Sequence, residues 1–174
     1  MADRKLISEV VRTRVEAEDA VRRIMDCGHA RGDICVIVSE AARRQRFAPS
    51  RVHGAAAHGH ALEAILSSAG VGVVVPGLRL AVAGPIAAEL ADSSSASAAG
   101  NLSSVLMDAG LPEHRARDYE TALKEGGMLL GVHARDDADA EELREILHDA
   151  VTARSVARYR SISRVRRPLD SHVR

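Results

Sequence analysis

The chain has 174 residues, enough for one domain with a real core, and 46% of them are hydrophobic. Aromatic residues make up only 2%, so the core must be built from Ala, Val, Leu and Ile, and a platform for stacking single-stranded bases is excluded. Basic and acidic residues balance at 24 each, which leaves no global field to favour DNA or an acidic partner, and no sequence-specific nucleic-acid partner is expected.

The N-terminus "MADRKLISEV" lacks the apolar region of a signal peptide, and a bacterial-type cytoplasmic location is the simplest expectation. "LISEVVR" (6–12) is apolar and β-branched and predicts a strand. Thr13 then stands three residues before Glu16, the spacing of a capping box. In that motif the Thr hydroxyl takes the Glu16 amide proton while the Glu side chain returns to the Thr13 amide. Ala17, Ala20, Val21, Ile24 and Met25 follow at helical spacing, and Gly28 offers a left-handed stop. "GDICVIVS" (32–39) is a continuous apolar run, the mark of a strand covered on both faces. Cys27 and Cys35 fit no zinc or disulfide framework and read as small buried hydrophobes.

Next comes "RRQRFAPSR" (43–51), a polar connector, and "HGAAAHGHALEAILSSAG" (53–70), a helix with a weak, glycine-broken start. "VVVPGLRLAVAGPIAAEL" (73–90) raises the question of a membrane span. A span wants about twenty unbroken apolar residues. Pro76-Gly77 and Gly84-Pro85 cut this run, Arg79 would be costly in lipid, and no aromatic belt flanks it. The expectation is a soluble protein without a membrane span, in which two short elements pack as an apolar hairpin. "ELADSSSASAAGNLSS" (89–104) begins as a small-residue linker and turns helical around Leu102, Val105, Leu106 and Ala109. "GLPEHRARDYETALKEGG" (110–127) is the clearest helix. Pro112 suits its first turn, Glu113 its positive end, and Ala116, Tyr119, Ala122 and Leu123 form one stripe before the Gly126-Gly127 stop.

The last third repeats the first. "GGMLLGVHA" (126–134) predicts a strand, and "DDADAEELREILHDA" (136–150) a helix with Leu143, Ile146 and Leu147 inward. "TARSVARYRSI" (152–162) is expected to be an edge strand. At a constant offset Leu6 matches Met128, Val10 matches Val132, Val21 matches Leu143, Ile24 matches Ile146, Met25 matches Leu147 and Ile34 matches Val156. Two such halves predict an α+β fold: a ferredoxin-like βαβ…βαβ antiparallel sheet spanning 1–160, with an apolar, mainly helical insertion at about 41–125. Residues 161–174 would be a basic C-terminal tail. The tail reads as solvated surface, with a phosphate or acidic-partner site as the sharper alternative, and Arg43, Arg44 and Arg46 form a second basic knot.

Chemistry-bearing residues are few. His53, His58 and His60 have metal-ligand chemistry, but only His53 and His60 share a helical face, and Glu63 is the one acid near them. They are weak candidates for a metal or small-ligand site and read first as polar surface or interface residues. Tyr119 and Glu120 diverge on a helix, so Tyr119 reads as a core residue whose hydroxyl seeks a partner at the sheet edge. The serines at 93–95, 97, 103 and 104 lack a nucleophile elbow, and the glycines form neither a P-loop nor a dinucleotide fingerprint. No enzyme machinery and no cofactor site is expected. The apolar insertion, with Val74 and Val82 as the interface candidates, predicts a homo-oligomer or a protein partner.

One resemblance adds to this reading. "GPIAAEL" (84–90) and "LMDAGLPEHRARDYETALKEGGMLLGVHA" (106–134), followed by an acidic helix, resemble the bacterial general-stress-protein family, whose domain is the heat-induced stress protein, YflT-like, domain. The likeness rests on Gly110, Leu111, Pro112, Ala116, Tyr119, Glu120, Leu123, Gly126, Gly127, Leu129 and Val132, and it covers most of residues 5–150. His53, His58 and His60 depart from the family's Gly/Ala-rich middle segment. The resemblance implies a soluble bacterial stress-linked protein of poorly defined activity and no catalytic residues.

Overall fold

The computed structural model describes residues 5–48, 59–75, 77–88, 90, 102–108 and 111–165. Among the described residues five strands form one antiparallel sheet: β1 (Leu6–Val11), β2 (Ile34–Ser39), β3 (Gly70–Val75), β4 (Leu78–Ala83) and β5 (Met128–His133). Their order is β1-β5-β2-β4-β3. The helices are α1 (Arg14–Asp26), α2 (Glu40–Gln45), α3 (Gly59–Ser68), α4 (Leu102–Asp108), α5 (Glu113–Lys124) and α6 (Asp137–Val165).

Local sequence chemistry sets these boundaries. The capping box forms at α1: Glu16 N–H donates to Thr13 Oγ1 at 3.3 Å, and Thr13 N–H donates to Glu16 Oε2 at 3.1 Å. At the far end of α5, Gly126 takes φ +86°, and Gly127 N–H reaches back to Ala122 O at 2.8 Å, closing the helix as the Gly-Gly pair predicts. The apolar stretch at 73–90 resolves into a hairpin, with Val75 paired to Leu78. Among the described residues no helix is long and apolar enough to cross a membrane.

The strands alternate between two cores. Ile34, Val36 and Val38 of β2 join Met128, Leu130 and Val132 of β5 on one face, under Val21 and Ile24 of α1, Leu62 of α3, and Leu143 and Leu147 of α6. Cys35 and Ile37 of β2 join Leu80 and Val82 of β4 and Leu129 of β5 on the other face, under Leu102 and Leu106 of α4 and Tyr119 and Leu123 of α5. All six residues of β2 are buried, as its unbroken apolar run requires. Each large aliphatic side chain taken from water contributes roughly 1.5–3 kcal/mol, so a core without Trp is sustained by number rather than by size.

One expectation needs correction. Residues 152–162 are helical rather than an edge strand, because α6 continues to Val165. No glycine or proline interrupts the helix between Asp137 and Val165, and Ala, Arg and Leu are good helix formers. The second half therefore supplies a strand and a helix, and the place beside β1 for a returning strand is not filled from 152–162. Among the described residues the insertion is mainly helical, through α2, α3, α4 and α5, and its apolar hairpin β3–β4 extends the sheet beyond β2. The two halves still share one sheet, with β5 lying between β1 and β2. The polar connector shortens too: Ser39 Oγ accepts from Ala42 N–H at 3.1 Å and caps the six-residue α2 over Glu40–Gln45.

Candidate functional site

The two edges of the sheet differ in chemistry. At the β1 edge, Ser8 and Val10 are two residues apart, so their main-chain groups point to the same side. Both are occupied by the protein's own side chains. Tyr119 Oη donates to Ser8 O at 3.0 Å, and Val10 N–H donates to Glu9 Oε1 at 3.2 Å. The single proton of Tyr119 being committed to Ser8 O, the Ser8 hydroxyl donates to Tyr119 Oη, also at 3.0 Å. Arg115 completes the cluster, with its guanidinium 5.4 Å from the Tyr119 ring centre and 3.6 Å from Glu9 Oε2. Burial pushes the Tyr119 phenol above its ordinary value, against the opposing pull of Ser8 and Arg115. Tyr119 is therefore a neutral donor locking an edge.

Glu120 turns away from Tyr119. Its carboxylate accepts from Lys124 Nζ at 2.6 Å and from Ser103 N–H at 3.0 Å, tying α5 to α4. The Lys124 contact, outweighing partial burial and helped by Ser103, holds the Glu120 carboxyl below its ordinary range. The divergence expected from adjacent helical positions is what the structure contains, and the two residues form no acid–base pair.

The β3 edge has a different makeup. "GVGVVV" carries no charge and no proline from Gly70 to Val75. Among the described residues β3 is hydrogen-bonded to β4 on one side, with a register shift between Val71 and Val73.

The candidates named from the sequence fall in separate places. Val74 lies in β3, opposite Arg79 in the ladder. Val82 is only 2% exposed, inside the core beneath α4 and α5. This corrects its assignment as an interface residue: the chain covers Val82 with its own helices. His60 lies in the first turn of α3, while His53 and His58 lie outside the described residues. Among the described residues no three His, Cys, Asp or Glu side chains come together as a metal site.

The sequence reading does not single out Ser8, Glu9 and Arg115. A signal exists in "LISEVV", where two polar residues occupy adjacent, opposite-facing positions in mid-strand. A strand buried inside a sheet has no room for both, whereas an edge strand can fold one of them around its rim.

A second tie joins the two long helices. His29 Nε2 lies 3.0 Å from Asp139 Oδ1, and Asp139 Oδ2 accepts from Arg135 N–H at 2.7 Å. Burial opposes ionisation of Asp139, but the Arg135 amide and His29 outweigh it and hold the carboxyl below its ordinary range. Arg135 itself donates to Gly28 O at 2.6 Å, so the end of α1 is pinned to the start of α6. Cys27, at the same end, has its thiol pushed up by burial and by the neighbouring Glu142 carboxylate, which disfavours the reactive thiolate.

No family model, curated protein or solved structure matches the chain.

Proposed function

We propose that the protein is a non-enzymatic, cytoplasmic stress-response protein of bacterial type that acts by self-association, with a ferredoxin-like frame extended by the β3–β4 hairpin. The contrast between the sheet edges carries this reading. Exposed strand edges are ready templates for pairing, and proteins that must avoid pairing blunt them with charge, proline or side-chain caps. Here one edge is capped by Tyr119 and Glu9, while the other presents an uncharged Gly/Val strand. A protein built to remain single has reason to protect both.

Antiparallel addition of two β3 strands would join two five-stranded sheets into one. The small side chains of "GVGVVV" allow close backbone approach, and the flanking helices would supply the rest of the contact. A stable interface of this kind buries about 800 Å² per partner. The stress-family resemblance supports a role exercised through association rather than catalysis. Light scattering at tens of micromolar is the direct test. A mass of twice 18.5 kDa or a larger multiple is expected, and a mass of 18.5 kDa throughout overturns the reading.

A further inference from the structure

The basic knot that follows β2 does not lie flat on the surface. α2 carries Arg43 and Arg44 to the wall of an open cavity of about 290 Å³. Arg14, at the start of α1, forms a third basic wall. The cavity's interior is apolar where Phe47 and Leu66 meet it, with Phe47 1% exposed and Leu66 6% exposed. Its lining holds three guanidinium groups against the single carboxylate of Glu63.

The three arginines are not equally committed. Arg14 is fixed by Glu18 at 2.6 Å and by Phe47 O at 3.0 Å, so it contributes charge from a set position. Arg43 spends one amino group on Leu66 O at 2.9 Å, which ties α2 to α3 and aims the guanidinium across the cavity mouth. Arg43 and Arg44 approach Glu40 only at 3.6 Å and 3.4 Å. Both distances exceed the roughly 2.7–2.9 Å of a charge-assisted hydrogen bond. Among the described residues Glu40 Oε2 is accordingly buried without a hydrogen-bond partner. It anchors the two arginines by charge, while Arg43 keeps its bond to Leu66 O and the Arg44 guanidinium stays in water. The Arg44 side chain is 79% exposed and can swing towards a ligand.

We propose that this cavity binds a small organic anion, a phosphate or carboxylate carried on a compact apolar body. Arg43 and Arg44 take the anionic group from the rim, and the apolar part lies against the exposed Ala48 and the aliphatic stems of the arginines, over the buried Phe47 and Leu66. A guanidinium fork matches both carboxylate and phosphate oxygens, and two forks on one helical turn can share one anion. The cavity volume sits at the lower end of ligand pockets, which span about 300–1,000 Å³, so the body is of single-ring size. This site does not depend on the β3 edge and would exist in a monomer.

The test is an amide NMR titration of the full chain with phenyl phosphate, benzoate and inorganic phosphate as probes. Phenyl phosphate or benzoate should give saturable shifts at Phe47, Ala48 and Ser67, and whichever binds more tightly identifies the anionic group. An Arg43→Gln/Arg44→Gln variant should bind at least about tenfold more weakly, as the loss of charged hydrogen bonds requires. Arg117→Gln, an exposed change on α5, should bind as the wild type does. Arg44→Gln alone keeps the test available if the double variant loses its fold, and it should still weaken binding several-fold. Shifts that do not saturate, an equal loss in Arg117→Gln, or inorganic phosphate binding as tightly as phenyl phosphate would each overturn the proposal.

Discussion

Tyr119 and Ser8, 111 positions apart, exchange two hydrogen bonds of 3.0 Å each, one to the Ser8 main chain and one to its side chain. Both residues are buried, so water cannot replace either partner. This pair joins the centre of α5 to the outer edge of β1 and makes the helix part of the edge's protection.

Tyr119→Phe should therefore cost more than the mean value of a hydrogen bond. It leaves a buried carbonyl and a buried hydroxyl unpaired at once, a loss of about 1–3 kcal/mol. Urea unfolding should show a lower midpoint with an unchanged slope. Ser8→Ala combined with Tyr119→Phe should cost less than the sum of the single changes, because the side chain orphaned by one is removed by the other. Strict additivity would show that the pair is not coupled.

Asp139 gives the fold an acid-sensitive tie. Its carboxyl has a folded value below the ordinary 3.8. A depressed carboxylate contributes stability that is present above the unfolded value and lost as pH falls through the folded one. The stability difference between wild type and Asp139→Asn should accordingly shrink as pH falls below about 4, by the same linkage. Parallel stability curves across that interval would remove Asp139 from the acid response.

Gly84 should tolerate no side chain. It has φ +87°, and a Cβ there would lie 2.2 Å from Ile34 O, a contact with backbone of the central strand. Gly84→Ala should destabilise by more than about 2 kcal/mol, through strain at positive φ together with overpacking. Gly32→Ala meets nothing within 4 Å and serves as the control, with a midpoint close to the wild type.

Elements whose own residues decide them were readable before any coordinates. Thr13 and Glu16 specify the start of α1, Gly126-Gly127 the end of α5, and "ICVIVS" a strand covered on both faces. The stripe of Ala116, Tyr119, Ala122 and Leu123 is buried as its spacing requires. What escaped the sequence reading was decided by neighbours. Residues 152–162 carry Val156 and Tyr159 in an imperfect alternation that reads as strand, yet they continue a helix whose turns are already formed by Asp137–Val151. Extending a helix adds a hydrogen bond per residue without a new nucleus. Val82 was readable as apolar but not as covered, because its cover comes from Leu106 and Tyr119, far along the chain. The arginine-lined cavity combines α1, α2 and α3, and no local pattern announces such a convergence.

The placement of Val74 and Val82 turns one question about association into two separable outcomes. Val82 is 2% exposed in the core shared by β2, β4, α4 and α5. Val82→Asp would bury a carboxylate in that apolar core, a penalty of about 3–5 kcal/mol. Against a typical net stability of about 5–15 kcal/mol, that loss should unfold much of the protein, and far-UV circular dichroism should register it. Val74 lies in the edge strand, and its partner in the ladder is the exposed Arg79. A carboxylate introduced at 74 faces an opposite charge across the strand pair, which offsets part of its cost to the fold. Two copies meeting at β3 would instead bring two such carboxylates together, and charge on an edge strand is the device by which proteins prevent pairing. Val74→Asp should therefore keep its circular dichroism spectrum while its mass by light scattering falls to 18.5 kDa. A folded Val74→Asp variant with the wild-type mass would exclude the β3 edge. The Arg-rich segment from Arg154 onward would then become the next surface to test.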